Sequence, residues 1–326
     1  MRPLSYSRAS TVDDALALVA HDPGSAFLAG GTTEVDLIRA GIATPDHLVD
    51  INDLPLAHID DLPDGGLRIG ALARMSDVAR TPAVSERYPA ISRALLLGAS
   101  EQLRNMASMG GNLRQRTRCA YLRDGASPCN KREQGTGCAA LDGFNRGHAI
   151  LGTSEHCIAT HPSDVAVALA AFDAVIHTVS PDGERAVALD EFFLLPGTTP
   201  EREHALEDGE LIVGIDVPGA PIARNSTYVK FRDRQSYEFA LVSVAAALDV
   251  HDGVVADVRL ALGGVGTKPW RARRAEAALI GGPADARAFR LAMAVELADA
   301  VVRRHNAFKV ELATRAAVRA LMHVAT

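Results

Sequence analysis

The sequence predicts an α+β chain in which two mixed lobes precede an antiparallel sheet and a helical tail. Three observations predict it. Strand and helix signals are interleaved over the first two thirds of the chain. The linker-like stretch "GAPIARNST" is then followed by three consecutive strand runs with no helix between them. From Arg271 onward the sequence is Ala-rich and helical in period. Strand-only and helix-only stretches of this kind argue against one doubly wound sheet.

The elements follow in order. "STVDDALALVAHDPG" opens with the capping residues Ser10 and Thr11, places Val12, Ala15, Leu16 and Val19 on one face, and stops at Pro23-Gly24. "SAFLAGG" reads as a buried strand entering a glycine turn. "TEVDLIRAG" reads as a helix closed by Gly41, and "DHLVDI" as a second strand. Residues 1–55 are thus expected to form a small β-α-β lobe. A second lobe, 56–220, begins with "GLRIGALARMSDVA", a strand and then a helix capped by Ser76. Helices through Leu97 lead to a second glycine turn, "SMGGNL", and to a cysteine-bearing loop at 114–160. "HPSDVAVALAAFDA" is an apolar helix capped by Ser163. "VIHTV", the turn "SPDGE" and "RAVAL" make a hairpin, and "GELIVGIDVP" is a strand ended by Pro218. In the third part, 221–326, "TYVKFRD", "FALVSVAAALDV" and "VVADVRLALGG" form the meander.

Composition is that of an ordinary globular protein, 48% hydrophobic and 23% charged. The longest apolar run, from Val165 to Ile176, is too short to span a bilayer. A net charge of −6 argues against nucleic acid as the main partner. The start, "MRPLSYSRAS", lacks the apolar core of a secretory signal, so by its own sequence the chain is expected in the cytoplasm. One segment departs from the average: between Arg104 and Arg132 stand seven Arg or Lys and a single acid, Asp124. It is either a solvated basic loop or a region that meets anions.

Two features carry chemistry. "LAGGTTE" puts Gly30 and Gly31 after a strand, with Thr32 and Thr33 opening a helix. Glycines let a ligand approach the backbone, and amides with hydroxyls suit a pyrophosphate. "SMGGNL" repeats the device in the second lobe, so two turns could grip one long ligand. Neither is the G-x-G-x-x-G fingerprint of a nicotinamide site. The second feature is the placement of every cysteine, Cys119, Cys129, Cys138 and Cys157, within one segment. Disulfides fit poorly in a chain without a signal. Zinc sites usually show close C-x₂₋₄-C pairs, which are absent. An iron–sulfur cluster also takes four thiolates, but the ferredoxin spacings are absent too. Four free cysteines are the remaining reading. His148, His156 and His161 read as surface or capping histidines and stand by as spare candidate ligands.

"FLAGGTTEVDLIR", "SEQLRNMASMGGNL", "HPSDVAVALAA", "YVKFRDRQSYEFALVSVAAAL" and "LALGGVGTKPWRA" together resemble the FAD-binding medium subunit of the molybdenum hydroxylases, the xanthine dehydrogenase family. The resemblance runs over essentially the whole chain. It implies a two-lobed FAD-binding fold of the vanillyl-alcohol-oxidase (PCMH) kind, followed by a C-terminal domain with an antiparallel three-stranded sheet and helices. The cysteine segment looks like that of periplasmic bacterial aldehyde oxidoreductases, whose medium subunit carries an extra [4Fe–4S] cluster. The implied ligands are Cys119, Cys129, Cys138 and Cys157.

The resemblance also implies roles at the flavin. Ala29, Gly30, Gly31, Thr32 and Thr33, with Glu34 at the edge, would hold the FAD pyrophosphate. Ser108, Gly110, Gly111 and Asn112 match the second FAD loop. Asp164 matches a carboxylate on the adenosine side, Ile212 an aliphatic side chain near the ring, and Lys230 a lysine near the isoalloxazine. Gln115 and Thr117 could touch FAD where the cysteine segment is inserted. Read without the resemblance, Lys230 is equally an exposed strand lysine, Ile212 a core residue, and Asp164 a helix N-terminal acid.

The implied protein passes electrons rather than oxidising the organic substrate itself. A large subunit with molybdenum cofactor and a small subunit with two [2Fe–2S] clusters would feed FAD, which passes electrons to an external acceptor such as a ferredoxin-like protein. Arg114, Arg116, Arg118 and Arg123 would raise the cluster's potential or dock an acidic acceptor. Periplasmic export would require a signal on a partner subunit. Two rivals stand beside this reading. One is a zinc-stabilised interaction subunit with a vestigial flavin fold. The other is a free-standing flavin oxidase, for which no acid/base constellation is seen.

Overall fold

A computed structural model describes residues 3–325; Met1 and Arg2 of the leader reading, and Thr326, lie outside it. Three sheets organise the chain. The first is parallel, with β1 (Ser5–Arg8) and β2 (Ser25–Leu28) flanking β3 (His47–Asp50). The helix Val12–His21 is capped by Thr11, whose hydroxyl accepts from the Asp14 amide, and buries Ala15, Leu16 and Val19. β1 is missing from the sequence reading because it carries no apolar alternation. It is held by backbone pairing and by the Tyr6 hydroxyl donating to Asp50 at 2.5 Å.

The second sheet has five strands in the order β4 (Ile59–Asp61), β5 (Leu67–Gly70), β8 (Leu211–Val217), β6 (Val175–Ser180) and β7 (Gly183–Ala188), all antiparallel. Helices cover it, including Met75–Arg80, Pro89–Leu97 and Asp164–Ala171. Ser76 does not cap the first of these. Arg74 takes the N-cap position because its backbone bridges to Ser108, which starts the helix two residues earlier. "SMGGNL" is a one-turn helix, Met109–Leu113, capped by Ser108.

The third sheet holds the expected three long strands, β9 (Ser226–Phe231), β10 (Val242–His251) and β11 (Val254–Gly263). The two-residue β12 (Trp270–Arg271) adds itself to the β11 edge. β10 is apolar on both faces because both are covered. Val244, Ala246 and Leu248 enter the C-terminal core with the helix Phe308–Val324, while Ala245 and Ala247 enter the second-lobe core. Their small size lets the helix Asp164–Ala171, buried from Val165 onward, lie close. Arg271 then closes that helix, its guanidinium donating to the carbonyls of Ala170 and Ala171 at 2.9 and 2.7 Å. Among the described residues no helix is long and apolar enough to cross a membrane.

Candidate functional site

A cleft of about 420 Å³ opens where the first lobe meets the second, within the size range of organic cofactor sites. Its floor is the end of β2 with the turn that follows. Its far side comes from Ser108, Gly110 and Gly111, and its back from Leu211 and Ile212 of β8. The two glycine turns are packed onto each other. A Cβ on Gly30 would stand 1.8 Å from the Met106 carbonyl oxygen, so no other residue fits there. Asn52 and Arg74 tie the turns together. Asn52 Nδ2 donates to the Ala29 carbonyl at 3.0 Å, and Arg74 donates to Asn52 Oδ1 at 2.8 Å and to the Met106 carbonyl at 2.5 Å.

Among the described residues, the amides of Gly30, Gly31, Thr32 and Thr33 donate to no other protein group. Successive unpaired amides in a glycine turn, with Gly31 at φ +70°, form a concavity that suits phosphate oxygens. Further along, His161 Nε2 and His204 Nδ1 are shielded from solvent and have no hydrogen-bond partner among the described residues. Burial holds both imidazoles down to about 4, so they are neutral at pH 7. Between them stands Glu203, which accepts from Arg116 Nε at 2.9 Å and faces Lys131 Nζ at 3.4 Å. Burial opposes its ionisation, yet the two cations hold its carboxyl below the usual range. Glu34 goes the other way: burial pushes it up more than Arg114 and Arg116 pull it down. The cleft thus offers unpaired backbone donors in a concave turn, with the rings of His161, Phe193 and His204 in its lining, and it suits an elongated ligand with an anionic part.

Ten residues singled out from sequence line this cleft: Ala29, Gly30, Gly31, Thr32, Thr33, Glu34, Ser108, Gly110, Gly111 and Ile212. Gln115 lines it as well. Four others lie outside the lining and are engaged elsewhere. Asn112 Oδ1 accepts from the Ser163 hydroxyl at 2.5 Å. The buried Thr117 hydroxyl donates to the Thr160 carbonyl at 2.9 Å. Asp164 and Lys230 form an ion pair at 2.7 Å, with side chains 9% and 1% exposed, and the Tyr228 hydroxyl also donates to Asp164 at 2.7 Å. Burial pushes the Asp164 carboxyl up although Lys230 and Tyr228 work against it.

The four cysteines line one small cavity together with Lys131 and His156. Cys129 and Cys138 face each other across a two-residue antiparallel bridge. Cys119 Sγ lies 3.2 Å from His148 Nε2. All four are free thiols, and burial pushes Cys157 up to about 11. Among the described residues no three His, Cys, Asp or Glu side chains converge as the ligands of a single metal ion. The basic segment turns inward: Arg118 and Arg123 both pair with Asp36 of the first lobe, at 2.9 and 2.8 Å, and Arg116 with Glu203.

Comparison with known proteins decides the family. The "FAD binding domain in molybdopterin dehydrogenase" family matches residues 2–220, and the "CO dehydrogenase flavoprotein C-terminal domain" family matches 226–324. The chain is an FAD-binding medium subunit of the xanthine dehydrogenase and CO dehydrogenase family. It is 51% identical over 280 residues to the aldehyde oxidoreductase FAD-binding subunit PaoB of Escherichia coli K12, covering 86% of each chain. Against the glyceraldehyde dehydrogenase medium chain of Sulfolobus acidocaldarius it is 28% identical, covering 85% of this chain and 81% of that one. Among solved structures it superposes on carbon monoxide dehydrogenase from Hydrogenophaga pseudoflava with a TM-score of 0.76 at 25% identity, covering 99% and 97%.

As a medium subunit of this family the chain has an FAD-binding domain, and the cleft is where its glycine turns meet. Sequence reasoning missed Phe193, Glu203 and His204. The signal for them is not local: Phe193 and His204 reach the cleft because a bridge pairs them across a ten-residue loop. His161, by sequence a surface or capping histidine with a spare ligand role, lines the cleft. His148 and His156 do lie at the cysteines.

Proposed function

We propose that this medium subunit holds FAD in the cleft between its two lobes and serves as the electron-transfer flavoprotein of a molybdenum-containing aldehyde oxidoreductase. The observation that carries the reading is the row of unpaired amides from Gly30 to Thr33 in a cleft walled by the second glycine turn, in a chain half identical to PaoB. The amides of residues 30–33, with Thr32, Thr33 and Ser108, would hold the pyrophosphate. Ile212 would pack against the ring system. FAD accepts electrons singly or in pairs and so joins one-electron donors to varied acceptors. The chain's own groups place and screen that cofactor. Asp164 and Lys230 satisfy each other, so they would support the wall behind the flavin and reach it only by opening their ion pair. Asn112 and Thr117 likewise brace the loops. A large molybdenum-cofactor subunit and a small [2Fe–2S] subunit would supply the electrons, and a ferredoxin-like protein would accept them.

We propose further that Cys119, Cys129, Cys138 and Cys157 hold a [4Fe–4S] cluster. A single zinc ion would draw its thiolates to within about 2.3 Å of one point. A four-iron core separates them by its own width, and the thiols here line the wall of a cavity. His148 would donate to the Cys119 sulfur, a contact that steadies a cluster ligand.

The experiment is anaerobic purification with the neighbouring subunits, a visible spectrum, and iron, sulfide and zinc analysis. Flavin bands and about four iron beyond those of the small subunit are expected for the two cofactors. Flavin with zinc and no extra iron would leave the flavoprotein and discard the cluster. A well-folded complex with neither would overturn both assignments.

A further inference from the structure

One ion pair separates the two sites described above. Glu203 lines the cleft and Lys131 lines the cysteine cavity, and their charged atoms stand 3.4 Å apart. Both side chains are largely shielded, Lys131 at 10% and Glu203 at 17% exposure. Each is fixed by a second contact. Lys131 Nζ donates to the Pro200 carbonyl at 2.7 Å, and Glu203 accepts from Arg116 at 2.9 Å. Arg116 also reaches the Lys131 carbonyl at 3.5 Å, so the three residues form one unit. The unit carries two cations and one anion. On the cleft side it faces the neutral rings of His161 and His204. On the cavity side Lys131 shares the lining with Cys129, Cys138 and Cys157. A charge with little water around it is felt over a longer distance than one at the surface.

We propose that Lys131 and Glu203 form a charge junction through which the cysteine cavity and the flavin cleft sense each other's oxidation state. Lys131 is a shared countercharge. Negative charge added at the cysteines competes with Glu203 for it, and negative charge added in the cleft competes from the other side. Coupling of this kind is reciprocal, so whatever one site does to the other is returned in equal measure. Neither residue needs to touch a reacting atom; both act as positioning residues for charge. The inference rests on the reading of the cleft as the FAD site. A purified complex without flavin would fail that reading before any variant is made.

The test is spectroelectrochemical titration of the intact complex. Lys131→Met removes a cation from beside both sites, so the flavin and the cysteine-bound cluster should both shift to lower midpoint potential. Glu203→Gln should shift both upward, and Lys131→Arg should restore wild-type values. A Lys131→Met complex with full flavin and iron whose potentials match wild type, or in which only one site moves, overturns the junction. A second comparison needs no cluster. Cys157→Ser and Cys157→Asp both break the four-thiolate set and differ by one charge in the cavity. The flavin potential should be lower in the Asp protein; equal potentials overturn the junction whether or not wild type carries iron.

Discussion

The carbonyl oxygen of Met106 occupies the space that a side chain on Gly30 would need, 1.8 Å from an ideal Cβ. Met106 lies just before the second glycine turn, so this contact, with the Asn52–Arg74 tie, limits how the two turns approach and hence the width of the cleft. Gly30→Ala should force them apart. Overpacking of this kind costs about 1–3 kcal/mol. The greater effect should fall on the ligand, since the amides of residues 30–33 and the 108–111 turn would no longer face each other at the proper spacing. The expected outcome is a folded chain that purifies with much less FAD, read from the flavin-to-protein absorbance ratio. Full flavin occupancy in Gly30→Ala would show that the cleft width is set elsewhere.

The Asp164–Lys230 pair makes a prediction of a different kind. Removing one member of a buried pair leaves the other uncompensated and typically costs about 3–5 kcal/mol. Lys230→Met should therefore destabilise the chain strongly in urea unfolding. Asp164→Asn with Lys230→Met should recover much of the loss, because no unpaired charge is left. Had Lys230 contacted only the flavin, stability of the flavin-free chain would be unchanged by its loss.

How far the molecule could be read from its sequence follows from the range of the interactions. The glycine turns were legible because the requirement is local: two small residues after a strand, then two hydroxyls. Ser163 as a helix cap was legible for the same reason, and its hydroxyl does accept from the Ala166 amide. Ser76 was misread because Arg74 is drawn into a bridge with Ser108, more than thirty residues away. Asp164 and Lys230 were each assigned to the cofactor, yet they are 66 positions apart in sequence and find each other. The basic segment looked like a docking surface because its acids, Asp36 and Glu203, come from distant elements. Charge pairing across lobes leaves no periodic trace.

His161 and His204 give the chain a directional pH dependence. Both are held neutral by burial, down to about 4 from an ordinary value of 6.5. Below 6.5 the unfolded chain binds protons that the folded chain refuses, so stability falls as pH drops from about 6.5 toward 4. The loss should appear as a fall in Tm of several degrees across that window. His161→Phe, which keeps the edge contact with Phe193, should flatten the slope. An unchanged slope in that variant would place the acid sensitivity elsewhere.

Lys309 supplies a second window of the same sign at higher pH. It is fully buried at the start of the Phe308–Val324 helix, and its amine donates to the carbonyls of Gly147 and Gly264 at 2.9 and 2.6 Å. It thereby ties the C-terminal helix to the cysteine segment between Cys138 and Cys157. Burial, with Arg146 nearby, holds it down to about 7 from 10.5. Between those values the unfolded chain carries a proton that the folded chain has lost, so this group makes stability rise as pH increases from about 7 to 10. Lys309→Met should abolish that rise. It should also leave the buried Gly264 carbonyl without this donor, at about 1–3 kcal/mol, partly offset because no cation need be buried, while the exposed Gly147 carbonyl keeps the Thr160 hydroxyl. Chemical unfolding of wild type and Lys309→Met at pH 7 and pH 9.5 separates the two effects. The gap between the proteins should be larger at the higher pH, where the wild-type amine is neutral and still donates. A gap that narrows as pH rises would mean that Lys309 is held as a cation in the folded chain.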